Sequence, residues 1–118
     1  MQTVSKEIRV DGRLRLPPGQ RLTDGWPVLH YGSIPRIDLD NWQFHAWGLV
    51  EKEQKWNWEE FNALGTIEDT SDIHCVTTWS KYDNTWEGIP FEAFLEKVKP
   101  TAAAKYVMVH SYGGYTTN

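Results

Sequence analysis

The clearest periodic pattern of apolar residues lies at residues 90–99. Apolar side chains recur there at the spacing i, i+3, i+4 and i+7, which places them on one face of a helix. These side chains are Phe91, Phe94, Leu95 and Val98. Pro90 suits the first helical position, and Pro100 follows the stop. The pattern predicts a helix over residues 90–99, with Phe94 and Leu95 buried on its core face.

A second, shorter helix is predicted from its end signals. Asn57 can cap the amino end, and two acidic residues follow where the helix dipole is positive. The apolar residues that share one face of this helix are Trp58, Phe61 and Leu64. Gly65 suits the position just beyond the carboxyl end.

Strands are predicted where β-branched and aromatic residues concentrate or alternate with polar ones. These stretches are residues 42–50, 66–70, 73–77, 86–89 and 104–111, of which the last is the most regular. Ser71 and Asp72 form a break between the second and the third. Residues 51–54 are charged and predict a turn, and residues 78–84 predict a polar loop.

Short strands interrupted by two short helices indicate an α+β fold that is mostly β-sheet. Residues 1–25 contain several Gly and Pro and little periodicity, so they predict an extended or partly disordered arm before a domain at 26–118. Gly113 and Gly114 predict a hairpin turn, after which a strand has only begun. We therefore expect a truncated domain whose open sheet edges allow self-association.

Composition narrows the classes of partner. The 118 residues suit one domain, and a net charge of −4 argues against nucleic acid, which needs a basic face. No apolar run approaches the roughly 20 residues that span a bilayer, so no membrane partner is expected. The amino terminus has no hydrophobic stretch like that of a signal peptide, which predicts a cytoplasmic protein.

Cys75 is the single cysteine, so an intramolecular disulfide and a multi-cysteine zinc site are excluded. Alternation along residues 73–77 predicts that Cys75 lies mid-strand, on the opposite face from His74. A thiolate is a soft metal ligand, which is the functional interpretation of this residue. The plain alternative is a small buried hydrophobic side chain.

No other motif in the sequence indicates a metal-binding, phosphate-binding or catalytic site. The four histidines lack the spacing of a helical or His-x-His metal pair, and the chain has neither a glycine-rich phosphate loop nor a serine nucleophile elbow. Seven tryptophans predict either core residues or a binding surface. They are Trp26, Trp42, Trp47, Trp56, Trp58, Trp79 and Trp86.

Six blocks of sequence follow one another in a specific order between residues 16 and 118. They are residues 16–20, 26–32, 42–50, 58–64, 75–80 with 86–90, and 104–107 with 115–118. As an ordered set they resemble the molybdopterin-binding oxidoreductase domain of the sulfite-oxidase superfamily, and most closely its small standalone bacterial members. The resemblance implies a sulfite-oxidase-type molybdopterin-binding fold, of which this chain is the front portion.

The resemblance also implies site residues and a cofactor. Cys75 matches the catalytic cysteine that ligates molybdenum in that family, where the metal performs oxygen-atom transfer. His30, Tyr31 and Gly32 match a pterin-contacting loop, and Ser111 matches a hydroxyl on the pterin. The implied cofactor is molybdenum–molybdopterin, with a small-molecule substrate and an unidentified electron-transfer partner. The 118 residues alone are expected to lack this cofactor and its activity.

One departure from the family leaves the substrate open. Sulfite oxidases follow the cysteine with closely spaced arginines, whereas residues 77–80 here contain none. The pattern Cys-Val-x-x-Trp-Ser is nearer to bacterial methionine-sulfoxide reductase catalytic subunits. Two rivals to the enzyme remain: a non-catalytic, cofactor-free truncated domain in which Cys75 is a free thiol, and a tryptophan-rich binding module.

Overall fold

The computed structural model describes residues 7–118 and divides them into two compact units. Unit 1 contains residues 7–28 and Glu68–Trp86, and unit 2 contains Leu29–Ile67 and Glu87–Asn118. The first six residues of the predicted arm lie outside the described part of the chain.

The α+β class, with mostly strands and two short helices, is confirmed. In chain order the elements are β1 (Arg21–Leu22), β2 (Gln43–Ala46), β3 (Gln54–Asn57), α1 (Trp58–Asn62), β4 (Ile67–His74), β5 (Trp79–Gly88), α2 (Phe91–Val98), β6 (Val109–His110) and β7 (Thr116–Thr117). The helices among residues 7–118 are too short and too polar to cross a bilayer.

Unit 1 is built on a three-stranded sheet in the order β1-β5-β4. Strand β1, in the segment predicted as an arm, runs parallel to the start of β5, with Arg21 opposite Trp79 and Leu22 opposite Ser80. Leu16, just before it, is buried. The described part of the arm thus contributes a strand and a core residue to this unit.

Arg15 ties the early segment of unit 1 to the two long strands. Its guanidinium donates to Asp72 on β4 at 2.7 and 2.9 Å and to Asp83 on β5 at 2.7 Å, and it lies 3.9 Å from the centre of the Tyr82 ring. The bond from Arg15, reinforced by the backbone N–H of Asp83, lowers the pKa of Asp72 to about 2. Asp72 is therefore ionised over the whole neutral range.

Two predicted interruptions in this sheet are wrong. Strand β4 continues through Ser71 and Asp72, and β5 occupies most of the predicted loop at 78–84. The polar residues remain in strands because they have partners: Arg15 holds Asp72, and the buried Asn84 donates to the carbonyl of Ser71 at 3.1 Å. Paired polar groups do not break a strand as exposed turn residues do.

Unit 2 has an aromatic core between the β2–β3 pair and the two helices. Strands β2 and β3 are antiparallel, with Phe44 opposite Trp56. Trp56, Phe94 and Val98 are buried together, and the Phe44 ring stacks on Phe94 with centroids 4.7 Å apart. Strand β3 was missed, since residues 51–54 predicted only a charged turn.

Both predicted helices are confirmed. In α1, Asn57 accepts from the backbone N–H of Glu60, whose side chain accepts from the Asn57 backbone N–H, both at 2.8 Å. In α2, the core stripe passes through Phe94 and Val98, which lie one turn apart. The predicted burial of Leu95 is wrong, because its side chain sits at the edge of that stripe and is half-buried.

The predicted strand at 104–111 is largely wrong. Only Val109 and His110 are in a strand, paired with Thr117 and Thr116 across the predicted glycine turn. The alternating pattern is real, but a strand exists only where a second backbone supplies hydrogen bonds. Strand β2 is likewise shorter than the predicted 42–50, because the backbone turns at Gly48, where φ is 108°.

Phe94 and Leu95 of α2 are buried to different extents, so replacing each of them by alanine should lower the free energy of unfolding by different amounts. Phe94→Ala is expected to lower the free energy of unfolding by about 3–5 kcal/mol, because it removes a ring from the core. Leu95→Ala is the matched control on the same helix and is expected to cost roughly 1–2 kcal/mol, in line with its partial exposure. Urea denaturation measures both values, and equal costs would contradict the core assignment.

The ion pair of unit 1 predicts a dependence of stability on pH. The folded pKa of Asp72, about 2, is below its ordinary value of 3.8. Its ionised form therefore stabilises the fold fully above pH 3.8, and this contribution is lost as the pH falls through 2. Asp72→Asn is expected to cost about 2 kcal/mol at neutral pH, as the loss of a charged hydrogen bond does.

Denaturation followed by circular dichroism at several acid pH values measures this effect. The Asp72→Asn variant should lose less stability than wild type on acidification. Asp69→Asn, an exposed position on the same strand, is the control and should behave as wild type. An unchanged acid slope in Asp72→Asn would refute the assigned ion pair.

Candidate functional site

Cys75 lies in a tight turn that joins β4 to β5. The N–H of Thr78 donates to the Cys75 carbonyl at 3.0 Å, and the N–H of Cys75 donates to the Trp79 carbonyl at 2.9 Å. Thr78 has a φ of 77°, the left-handed conformation that lets a short hairpin loop close. The prediction that Cys75 lies mid-strand is therefore wrong, because the chain reverses at residues 75–78, here called the Cys75 turn.

The Cys75 turn surrounds the sulfur with donors. The Sγ atom lies 3.1 Å from the Thr77 hydroxyl oxygen. This hydroxyl is the largest cause that lowers the pKa of the Cys75 thiol below its ordinary value, followed by the backbone N–H of Thr77, with that of Val76 adding less. Partial burial acts in the opposite direction and is outweighed. Cys75 is partly exposed, and its sulfur is thus biased toward the thiolate.

Thr77 is a site residue that sequence reasoning did not identify. Placing residues 73–77 in a strand put its side chain beside Cys75 on one face but gave it no role. No local signal in the sequence points to this turn, because Val76, Thr77 and Thr78 are β-branched residues that favour a strand.

Behind the Cys75 turn, three side chains and one backbone carbonyl form a chain of hydrogen bonds. The Gln20 amide nitrogen is 3.1 Å from the Cys75 carbonyl oxygen, and the Ser80 hydroxyl donates to the Gln20 amide oxygen at 3.0 Å. The His74 Nδ1 atom lies 2.7 Å from the Ser80 oxygen. Ser80 is fully buried, and the neighbouring Trp79 is 6% exposed. Within residues 7–118, the buried indole N–H of Trp79 has no partner.

The other predicted site residues belong to unit 2, whereas Cys75 belongs to unit 1. His30 Nδ1 lies 2.7 Å from the Gly32 carbonyl oxygen, and the Tyr31 ring packs against Tyr115 with centroids 5.3 Å apart. Ser111 donates its backbone N–H to the Tyr115 carbonyl at 2.9 Å. Tyr115 therefore brings the loop at 30–32 close to the hairpin that carries Ser111.

The remaining histidines of unit 2 form an aromatic stack. The Trp47 ring lies between His45 and His110, with centroids 4.6 and 5.3 Å away, and His45 also contacts Glu53 at 2.6 Å. In the part of the chain that the structure describes, no three His, Cys, Asp or Glu side chains are grouped to hold a metal ion. A metal at Cys75 would have to bring its other ligands with it.

Comparison with known proteins defines the class. A sequence model of the oxidoreductase molybdopterin-binding domain matches residues 31–118, and the chain belongs to this family. It is 39% identical over 105 residues to the uncharacterized oxidoreductase YuiH of Bacillus subtilis (strain 168). The aligned residues make up 88% of this chain and 53% of that protein. No solved structure gives a significant match.

A second relative is the putative protein-methionine-sulfoxide reductase subunit YedZ1 of Azospira oryzae (strain ATCC BAA-33 / DSM 13638 / PS). It is 29% identical over 104 residues, which make up 86% of this chain and 39% of that protein. The chain thus spans about half, or less, of the length of these curated relatives.

The donors around the sulfur predict its reactivity. Thr77→Val removes the hydroxyl with little change in volume, so the pKa of the Cys75 thiol should rise. Its alkylation by iodoacetamide at neutral pH should slow about threefold or more, as expected for one lost hydrogen bond. Thr77→Ser, which keeps the hydroxyl, should react as wild type does. An unchanged rate in Thr77→Val would show that the hydroxyl does not stabilise the thiolate.

Proposed function

We propose that this domain binds a molybdenum–molybdopterin cofactor and that Cys75 is the protein ligand to molybdenum. The observation that carries the proposal is the Cys75 turn, in which Thr77 and Val76 direct donors at the sulfur. A thiolate is a soft donor suited to such a metal, and a ligand must be deprotonated to bind. Membership of the molybdopterin-binding family supports the same assignment.

The residues of the turn fit this group chemically. Thr77 favours the thiolate before any metal arrives, which reduces the cost of losing a proton on binding. Once the metal is bound, the same donors limit the electron density that sulfur gives to it, which is how outer-shell hydrogen bonds tune a metal centre. When bound, the cofactor supplies two-electron redox chemistry coupled to transfer of an oxygen atom.

We propose that the loop at 30–32 and Ser111 contact the pterin. Because the Gly32 carbonyl can only accept, His30 must donate to it from Nδ1, which leaves Nε2 of a neutral ring as an acceptor. Gly32 has a φ of 65°, the left-handed conformation that favours glycine, so the loop can turn sharply at this residue. All four residues, Ser111 included, are exposed in unit 2 and accessible to a ligand.

The substrate is proposed to be a small molecule that gains or loses one oxygen atom. Such a reaction moves two electrons, so an electron-transfer partner is required to complete the cycle. Residues 77–80 contain no arginine, which disfavours a tightly held anion such as sulfite. Methionine sulfoxide, suggested by the name of the Azospira relative, is the first substrate to test, with sulfite as the comparison.

A second candidate is a cofactor-free domain with Cys75 as a free thiol. It is favoured by one observation: the chain covers 53% and 39% of the two relatives, so groups from the remainder of those proteins are not among its residues. Under this alternative, Cys75 would still be a reactive thiolate but would hold no metal.

Cofactor content distinguishes the candidates. Two chains are to be produced in a molybdopterin-synthesising host: residues 1–118, and the same residues followed by the remainder of YuiH. The longer chain is expected to contain about one molybdenum per chain, and Cys75→Ser in it should reduce molybdenum at least tenfold, because the alcohol is a harder and far less acidic ligand. The 118-residue chain is expected to contain little.

Molybdenum by plasma mass spectrometry and pterin by fluorescence give both quantities. Thr77→Ser, which keeps the hydroxyl beside the sulfur, is the control and should retain the metal. Full molybdenum content in Cys75→Ser would refute the ligand assignment. Stoichiometric cofactor in residues 1–118 alone would refute the cofactor-free alternative.

A further inference from the structure

The carbonyl of Cys75 receives two hydrogen bonds. One comes from the Thr78 N–H at 3.0 Å and closes the turn, and the other comes from the Gln20 amide at 3.1 Å. A carbonyl oxygen has two lone pairs, so both are used. Gln20 is 55 residues away in the chain, and its bond therefore fixes the Cys75 turn to a separate segment of unit 1.

The direction of each hydrogen bond that links Cys75, Gln20, Ser80 and His74 can be deduced. Because the Cys75 carbonyl only accepts, Gln20 must present its NH2 group there and its oxygen to Ser80. The Ser80 hydroxyl has one hydrogen and donates it to that oxygen at 3.0 Å. It must then accept from His74 Nδ1, 2.7 Å away. A neutral His74 is consequently protonated on Nδ1. Free imidazole side chains in water prefer the other tautomer, which is protonated on Nε2.

Burial of Ser80 makes the centre of this chain of bonds rigid. Ser80 is fully buried, so its hydroxyl cannot exchange Gln20 for water without leaving a polar group unpaired. The backbone of Ser80 is fixed as well, since it pairs with Leu22 of β1. Gln20 directly precedes β1, so the strand pairing and the side-chain bonds reinforce each other.

We propose that Gln20 and Ser80 are positioning residues for Cys75. They hold the Cys75 turn through its carbonyl, so that the backbone and hydroxyl donors stay directed at the sulfur, and they fix His74 as the Nδ1–H tautomer. The role assigned to Cys75 rests on the proposed function. The order of the turn and the tautomer of His74 do not, and both can be measured without molybdenum.

Two variants test the hydrogen bonds of Gln20 and Ser80 separately. Gln20→Glu is nearly isosteric and keeps an acceptor for Ser80, but it replaces the donor to Cys75 by an oxygen. Ser80→Ala removes the link between His74 and Gln20. Gln43→Glu makes the same chemical change at an exposed position of unit 2 and is the matched control.

Nuclear magnetic resonance of the 118-residue chain tests the proposal. At mildly alkaline pH, the imidazole nitrogen shifts of wild-type His74 should report Nδ1–H. They should still do so in Gln20→Glu but change to Nε2–H in Ser80→Ala. Hydrogen exchange of the Thr78 amide should be about tenfold faster in both variants, as expected when a partner of a part-buried hydrogen bond is lost, and unchanged in Gln43→Glu.

Three outcomes would overturn the proposal: an Nε2–H tautomer in wild type, Thr78 exchange within twofold of wild type in both variants, or equal acceleration in Gln43→Glu. The wild-type tautomer is informative even if a variant does not fold. Failure of the proposed function has a different signature, namely full molybdenum content in Cys75→Ser of the longer chain. That result would remove the role of Cys75 and leave the tautomer and the exchange rates as they are.

Discussion

The reversal of the backbone at residues 75–78 determines what the single cysteine can do. In a continuous strand, the N–H groups next to Cys75 would pair with a neighbouring strand. In the turn, the N–H groups of Val76 and Thr77 are free to point at the sulfur, and the Thr77 hydroxyl joins them. The left-handed conformation of Thr78 closes this turn. It is an unusual conformation, because a β-branched residue rarely adopts a positive φ. The chemistry of the site thus depends on the Thr77 hydroxyl, which contributes most, and on the backbone geometry that places this hydroxyl and the two N–H groups beside the sulfur.

The two units are stabilised by different interactions. Unit 2 depends on ring packing, with Phe44, Trp56 and Phe94 in mutual contact. Unit 1 depends on polar groups that pair with one another, among them Arg15 with Asp72 and the buried Ser80 with Gln20 and His74. Polar networks of this kind are costly when one member is lost, and they specify one arrangement more strictly than apolar contacts do. That strictness suits the unit that contains Cys75.

The sequence predicted local features well and pairings poorly. The caps and periodicity of α1 and α2 depend on residues close in the chain, and both helices are confirmed. The break at Ser71 and Asp72 was predicted from polarity alone, but the partner that keeps Asp72 in β4 is Arg15, 57 residues away. The alternation at 104–111 could not reveal how much of it would find a partner strand.

At the candidate site, too, one residue was predicted from the sequence and the residues that depend on the fold were not. Cys75 was identified by resemblance to a family, and the chain belongs to that family. The residues that shape its surroundings were not identified, because Thr77 acts through a turn and Gln20 through a distant contact. Their roles depend on the angle at Thr78 and on the pairing of β1 with β5, and neither can be deduced from composition or spacing.

The separation of Gln20 from Cys75 also has a consequence for the order in which the site forms. The Cys75 turn is closed by contacts three and four residues apart, and hairpins of this kind form in about 1–10 μs. The bond from Gln20 requires a loop of 55 residues to close, and contacts of that range form later in folding. During folding, the thiolate and its donors are therefore expected to come together before the hydrogen bonds that hold them in place.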